Sequence, residues 1–311
     1  MNAWLKWWQR RRYPKAMKHM ADLHPRFALA NNGRERDIVW RGRRIAALVP
    51  LSAWRDAARE ACCYVLASGP SMQAVDLAAL GDAPAFGVNG AIAKFRDHPD
   101  MAPHYYVITD PDFVAHRFHL VAAAFARAPH FFLSAAAMSA ICEQDPQLLA
   151  TAPVSLIETH FCPYGRPRLS RAQIADLIAR SPALYARDWR IGFSRDAELG
   201  LFSAHTVAYY AIQLACYMGY RHVFLLGLDF SAAGATRFYE NGAAAMPSGM
   251  DTDYDKFIRP SFEVLQRVCA ADPHFSVHNL SAQSRLPDSI VPKISVADSL
   301  RLRTRERCAC V

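Results

Sequence analysis

Among the eight cysteines no Cys-x-x-Cys pair occurs, so the commonest thiolate zinc frameworks have no sequence basis. Several cysteines (Cys62, Cys63, Cys142, Cys216, Cys269) fall in apolar segments, where a free thiol behaves as a small hydrophobe. Long hydrophobic runs are missing too. Uncharged stretches such as Phe131 to Cys142 stop well short of a bilayer span and are interrupted by Ser. There is no Walker loop and no dinucleotide Gly-rich fingerprint, which argues against ATP and NAD sites of the usual build. No Gly-x-Ser-x-Gly elbow supports a hydrolase triad. The start, Met1-Asn2-Ala3-Trp4-Leu5-Lys6, lacks the apolar core and cleavage site of a signal peptide, so a cytoplasmic location is expected. What remains is a chain of 311 residues, 52% hydrophobic and 21% charged, able to bury a core and too apolar for disorder.

Charge is unevenly placed. Residues 1–44 hold twelve Lys or Arg against three acids, a balance of +9, which leaves the remainder near −1 against the whole-chain +8. Trp4, Trp7 and Trp8 stand among Lys6 and Arg10 to Arg12. Such a basic aromatic segment suits an anionic membrane surface, or a helix docked on its own domain through the Trp face. No nucleic-acid-binding motif accompanies it.

Residues 1–60 read as this basic N-terminal extension, with a small hairpin over Ile38 to Ile45 turning at Arg41-Gly42 and a helix over Leu51 to Glu60. From Cys62 the pattern alternates. Strands are expected at 63–67, 85–88, 104–109, 129–133, 221–227 and 275–278. Helices are expected at 112–127, 135–149, 204–218 and 258–271. This spacing predicts an α/β fold, a Rossmann-like, mostly parallel sheet with helices on both faces, as one domain over 61–300 with a charged tail at 301–311. The Pro-rich 150–200 segment reads as a lid or a small insertion, and the Gly- and Ala-rich 231–256 segment is the other candidate for a mobile lid.

Three strand ends carry the chemistry. Ser68-Gly69-Pro70-Ser71 presents backbone amides and hydroxyls where Gly allows close approach of a ligand. Val88-Asn89 ends the next strand. Gly219-Tyr220 leads through a buried strand to Gly227-Leu228-Asp229-Phe230, the switch-point pattern of an open α/β sheet. As an ordered set spanning Cys62 to Pro287, these motifs resemble the bacterial family-42 sialyltransferases and their relatives in lipopolysaccharide core assembly, including enzymes that transfer 3-deoxy-manno-octulosonic acid (Kdo). Both kinds use a CMP-activated acidic sugar. A distant pterin-diphosphokinase-like family shares the motif style.

The resemblance implies that Ser68, Gly69 and Ser71 line the nucleotide, Ser68 standing where Asn is usual. It implies that Asn89 meets the donor near its phosphate, that Thr206 helps hold the donor, and that Gly227 and Asp229 flank the cytidine and ribose. Asp110 falls where a second Asn is usual. Tyr239 and Arg237, in Arg237-Phe238-Tyr239-Glu240, take the place where hydroxyls meet the departing phosphate, and both can stabilise the charge that grows there. The family's proton-abstracting His is missing, because no His occurs from Val223 to Asp272. Asp251-Thr252-Asp253-Tyr254-Asp255 stands in its place, making Asp253 or Asp255 the candidate base, with Asp110 and His205 as rivals. His104, His116 and His119, and the Asp110-Pro111-Asp112 triplet, do not make a convincing metal site, and the resembled family needs no metal or other cofactor.

The expected activity is inverting transfer of a CMP-linked ulosonic acid, Kdo before sialic acid, to a lipopolysaccharide core or lipid-linked sugar. The enzyme would be peripheral at the inner face of the bacterial inner membrane. Its partners would be the CMP-sugar, the core acceptor and an anionic membrane surface, with no nucleic acid; a homo-oligomer stays open. The alternatives are an ATP-dependent pterin or nucleotide pyrophosphotransferase and a non-catalytic envelope scaffold.

Overall fold

Alternation of side chains along each strand builds two cores on one sheet. In β4 (Cys62–Leu66), Cys63 and Val65 enter one apolar cluster while Cys62, Tyr64 and Leu66 enter the other. A strand buried on both faces needs this continuous apolar run, and parallel sheets covered by helices are where it occurs. The computed structural model describes residues 10–309 except 12, 34, 231–235 and 241–249.

An antiparallel unit comes first, β1 (Phe27–Asn32), β2 (Glu35–Trp40) and β3 (Arg43–Ala47) in that order. The β2–β3 hairpin turns at Arg41-Gly42, as the sequence predicts, with positive φ at both residues. The main sheet adds β5 (Ala85–Val88), β6 (Tyr105–Ile108), β7 (Phe131–Leu133) and β8 (Val154–Leu156) on one side of β4. A separate two-stranded ribbon is made by β9 (Leu184–Ala186) and β10 (Gly192–Ser194). On the other side of β4 lie β11 (His222–Leu226) and β12 (Ser276–Asn279), giving the order β12-β11-β4-β5-β6-β7-β8 with every pairing parallel.

Helices α1 (Pro111–His116), α2 (Phe118–Phe125) and α3 (Ala135–Gln144) bring Phe113, Val121 and Met138 to the Tyr64 face. The remaining described helices are α4 (Arg171–Arg180), α5 (Val207–Tyr217), α6 (Met250–Asp253), α7 (Arg259–Ala271) and α8 (Val296–Ala309). Of these, α5 and α7 cover the Val65 face, burying Tyr209, Leu214, Phe262 and Leu265. The fold is thus α/β and Rossmann-like, with helices on both faces. The strand order reverses between β4 and β11, and a ligand of such a sheet belongs outside the carboxyl ends of those two strands.

Four expectations need correction. Leu51 to Glu60 is not a helix: only Leu51–Trp54 forms a 3-10 turn. Trp54 Nε1 donates to Ser155 Oγ at 3.1 Å, and Asp56 is left-handed at φ 52, which ends any helical path. The 112–127 helix is two helices, broken at Arg117 with φ −132 and ψ 35. Residues 150–200 are more regular than their proline content suggests. They supply β8, an edge strand of the main sheet too short to register as a pattern, and α4 with a Ser170–Gln173 capping box. The charged tail continues a helix, α8, anchored where buried Arg303 bonds Asp82 at 2.8 Å and the Leu80 carbonyl at 2.9 Å. The other lid candidate, 231–256, falls largely on residues outside those described. Among the described residues no helix is long and apolar enough to cross a membrane.

Candidate active site

Asp229 sits at the switch point with 4% of its surface exposed. Its Oδ2 accepts the Ser71 backbone N–H at 2.7 Å and its Oδ1 the Ser71 hydroxyl at 2.6 Å; Ser71 Oγ also lies 2.9 Å from Ser281 Oγ. Charge-assisted bonds of this length are strong, so Asp229 braces the turn after β4 against the loop after β11. Each carboxylate oxygen keeps a further lone-pair direction for a ribose hydroxyl. The brace explains two glycines. A Cβ on Gly69 would stand 2.4 Å from Asp229 Oδ2 and 2.5 Å from the Gly227 carbonyl; Gly227 itself is at φ 70. Ser68, Gly69, Ser71, Gly227 and Asp229 therefore lie together at the carboxyl ends of β4 and β11.

A second wall rises from the turn after β5. Asn89 is left-handed at φ 46, and its carbonyl accepts the buried Tyr106 hydroxyl at 2.6 Å. That leaves its side chain turned to other work. Tyr239 lies directly on Gly90, where a Cβ would come within 2.0 Å of the ring, and Phe238 N donates to the Ser68 carbonyl at 3.2 Å. Asn89 Oδ1 and Tyr239 Oη are both buried with no hydrogen-bond partner among the described residues; Ser68 faces the Tyr239 hydroxyl without completing a bond of good geometry. Burial pushes the Tyr239 phenol up to about 12, so it stays a donor at neutral pH. Buried polar atoms without a partner cost stability unless a ligand takes them up. Arg237 does not point a lone cation at this wall. Its Nη1 lies 3.0 Å from Glu240, whose buried carboxylate also meets Arg117 at 3.4 Å.

The base candidates are held differently, and all but Asp110 belong to a third wall. Asp110 caps α1, accepting Asp112 N at 2.8 Å. Asp251 and Asp255 both pair with Arg285, at 3.1 and 3.6 Å. Asp253 instead meets His205 Nδ1 at 2.9 Å, and the His205 ring stacks on Phe257 at 4.0 Å and 3°. With Asp253 ionised, Nδ1 carries the proton and Nε2 is left as an acceptor. Ala204 and His205 are consecutive left-handed residues, φ 44 and 53, an uncommon strain that surrounding structure must hold. Residues 254–258 form a π-helical turn between α6 and α7, a distortion found often at functional sites. Thr206 starts α5 without spending its hydroxyl on a cap.

Arg285 ties this wall to the switch point. Its N–H donates to the Asp229 carbonyl at 2.7 Å, its carbonyl accepts the Tyr254 hydroxyl at 2.9 Å, and its guanidinium covers the Tyr254 ring at 3.8 Å. Neither Arg285 nor Gly90 is visible to sequence reasoning, since an isolated Arg in a loop and a Gly after Asn carry no pattern. The His205–Asp253 pairing across 48 positions is equally silent. Among the described residues no group of three or more His, Cys, Asp or Glu is placed to hold a metal.

The family model of 3-deoxy-D-manno-octulosonic acid transferase WaaZ matches residues 169–297, the segment carrying Thr206, Asp229, Tyr239 and Asp253. A probable 3-deoxy-manno-octulosonic acid transferase of Salmonella typhimurium is 26% identical over 247 residues, covering 76% of this chain and 87% of that protein. One of Escherichia coli is 25% identical over 248 residues, covering 75% and 82%. Among solved structures, the Campylobacter jejuni sialyltransferase CstII aligns with 13% identity and a TM-score of 0.43 over 77% of this chain and 87% of that one. The monofunctional α-2,3-sialyltransferase Cst-I aligns with 14% identity and a TM-score of 0.41, over 75% and 80%. The chain is therefore similar to 3-deoxy-manno-octulosonic acid transferases over about three-quarters of its length.

Proposed function

We propose that the protein transfers a CMP-activated ulosonic acid, Kdo in preference to sialic acid, onto a lipopolysaccharide core or lipid-linked sugar with inversion. The observation that carries this reading is the pair of buried, unpartnered atoms, Asn89 Oδ1 and Tyr239 Oη, beside the Ser68–Asp229 turn. A nucleotide monophosphate in the crevice supplies what both lack: ribose or amine donors for Asn89 and phosphate oxygens for Tyr239. Asp229 and Ser71 hold the ribose edge, and Thr206 at the start of α5 faces the acidic sugar.

In the reaction, His205 Nε2 takes the proton of the acceptor hydroxyl as that oxygen attacks the anomeric carbon. Asp253 holds the tautomer and stabilises the imidazolium that forms. The bond from the anomeric carbon to the phosphate oxygen breaks, and its electron pair leaves with CMP. Tyr239 donates to that oxygen as charge grows on it, a contribution of the kind worth about 100-fold in rate. Asp255 and Asp110 drop out of the base role because each is committed elsewhere. No metal or other cofactor enters this scheme. The enzyme works in this reading as a peripheral protein at the inner face of the inner membrane, where the basic residues 1–44 meet anionic lipid.

A thermal-shift panel of CMP, CDP, UDP, GDP and ATP with Mg²⁺ tests the reading, since only a ligand of the native state raises the melting temperature. Stabilisation by CMP above the others is expected. Preference for ATP with Mg²⁺ would point to pyrophosphoryl transfer and overturn the proposal, and indifference to all five would favour a scaffold.

A further inference from the structure

Away from the switch point the structure holds a cavity of about 600 Å³ between β2, the 158–169 segment and α4. Arg36, Arg166 and Arg168 line it, with Tyr164, Gln173 and Leu177. Two carboxylates also line it, and both are occupied. Glu158 accepts the Tyr164 backbone N–H and pairs with Arg36 at 3.6 Å. Glu198 accepts the Tyr217 hydroxyl at 2.9 Å and pairs with Arg55 at 3.4 Å. Arg166 and Arg168 have no carboxylate within ion-pair distance among the described residues. Arg168 is nevertheless held in place, its Nε on Cys162 Sγ at 3.2 Å and its plane 5.8 Å from the Phe161 ring. A guanidinium fixed through Nε presents its two Nη groups outward as a fork, the geometry that matches carboxylate and phosphate.

The cavity is built, not incidental. The 163–168 loop is clipped by the segment 16–20, through Arg168 N to the Ala16 carbonyl at 2.7 Å and His19 Nε2 to the Pro163 carbonyl at 3.0 Å. Leu29 N holds the Tyr164 hydroxyl at 2.9 Å. A Cβ on Gly200 would come within 2.4 Å of His160 N, so these two lining residues are packed backbone to backbone, and the chain runs on from Gly200 to His205. A continuous run of rings and cations joins the cavity to the base: Arg168 over Phe161, Phe161 edge-on to Trp189 at 5.7 Å, Arg190 over both Trp189 at 4.8 Å and Phe257 at 4.9 Å, and Phe257 stacked on His205. Apolar faces with a few fixed polar groups are what a saccharide surface requires.

We infer that this cavity is a subsite for the acceptor and takes an anionic saccharide, a sugar bearing a carboxylate or a phosphate. The assignment to acceptor rather than donor rests on the transferase reading above. The anion meets Arg166 and Arg168, and the following sugars run along Trp189 and Phe257 toward His205.

The test is titration of the full chain with a methyl glycoside of Kdo, glucose 6-phosphate, glucose and inorganic phosphate, each followed by ligand-observed NMR. CMP is titrated in parallel. The Arg166→Ala/Arg168→Ala variant and the milder Arg168→Lys are compared with the parent. The expected result is that one of the two anionic sugars binds at least tenfold better than glucose and better than phosphate alone. The double variant should lose that difference while CMP binding stays unchanged, and Arg168→Lys should lose part of it. Which sugar wins decides between carboxylate and phosphate. Equal binding of glucose and both anionic sugars, equal binding of phosphate alone, or full binding by the double variant overturns the subsite. Saccharide binding without CMP binding would overturn the donor reading and leave the anionic-saccharide site standing. CMP binding without saccharide binding would overturn the subsite alone.

Discussion

Replacing Tyr239 by Phe should make the protein more stable and far less active, a combination that an ordinary core tyrosine would not give. The phenol oxygen is buried and has no hydrogen-bond partner among the described residues, on a ring pressed against Gly90. An unsatisfied buried hydroxyl costs about 1–3 kcal/mol. The small void left by its removal returns a part of that, so a net gain of about 1 kcal/mol is expected, or roughly 2 °C in melting temperature for a chain of this size. In the proposed mechanism the same oxygen donates to the leaving phosphate, and its loss should then lower turnover about 100-fold. Differential scanning calorimetry of the ligand-free protein and a CMP-release assay read the two effects separately. CMP should also raise the melting temperature of Tyr239→Phe less than it raises that of the parent. A variant that melts lower and turns over normally would refute the reasoning, because it would show the hydroxyl bonded within the fold and idle in catalysis.

Other positions give equally direct expectations. His205→Ala and Asp253→Asn should both lower kcat, the first more, with CMP affinity unchanged; activity retained in His205→Ala would return the base role to a carboxylate. Gly90→Ala forces Tyr239 aside, since its Cβ would lie 2.0 Å from the ring. A loss of about 2 kcal/mol in urea unfolding and weakened CMP binding should follow, and an unperturbed variant would mean Tyr239 packs elsewhere. Arg285→Ala should release Asp251 and Asp255 and cost kcat more than CMP affinity. Burial lowers His130 from 6.5 to about 4. Its neutral form is favoured in the fold, so this contribution is complete above pH 6.5 and is lost as pH falls toward 4, by at most about 3 kcal/mol. His130→Phe should flatten that part of a stability-versus-pH curve, and an unchanged curve would assign the acid sensitivity to other groups.

The fold was legible where burial is two-sided. Cys62 to Leu66 and His222 to Leu226 are apolar runs ended by Gly, and such runs have few readings besides central parallel strands. The three-residue strand Val154–Leu156 and the capped helix Arg171–Arg180 were lost in a Pro-rich stretch, because so short an edge strand has no period to detect. The false helix over Leu51 to Glu60 has a tertiary cause. Trp54, Ser155 and His130 lock the segment to the sheet, Ser155 Oγ donating to the Val49 carbonyl and accepting from both neighbours.

The site divides the same way. Ser68 to Ser71, Asn89 and Asp229 follow strands and could be found from strand ends. How the four candidate bases are held could not, because that depends on Arg285 pairing with Asp251 and Asp255 and on His205 reaching Asp253. Those pairings join positions far apart in the chain, and composition and spacing hold no record of them.

The central claim is that the crevice between β4 and β11 serves transfer from a CMP-sugar. It is tested most directly by incubating the purified protein with CMP-Kdo and a lipopolysaccharide core acceptor and following acceptor-dependent CMP release, with the Asn89→Ala protein alongside. The account predicts release that requires the acceptor, needs no divalent metal and is nearly abolished in Asn89→Ala. No release from CMP-Kdo or from a CMP-sialic acid, or equal release by Asn89→Ala, would contradict it.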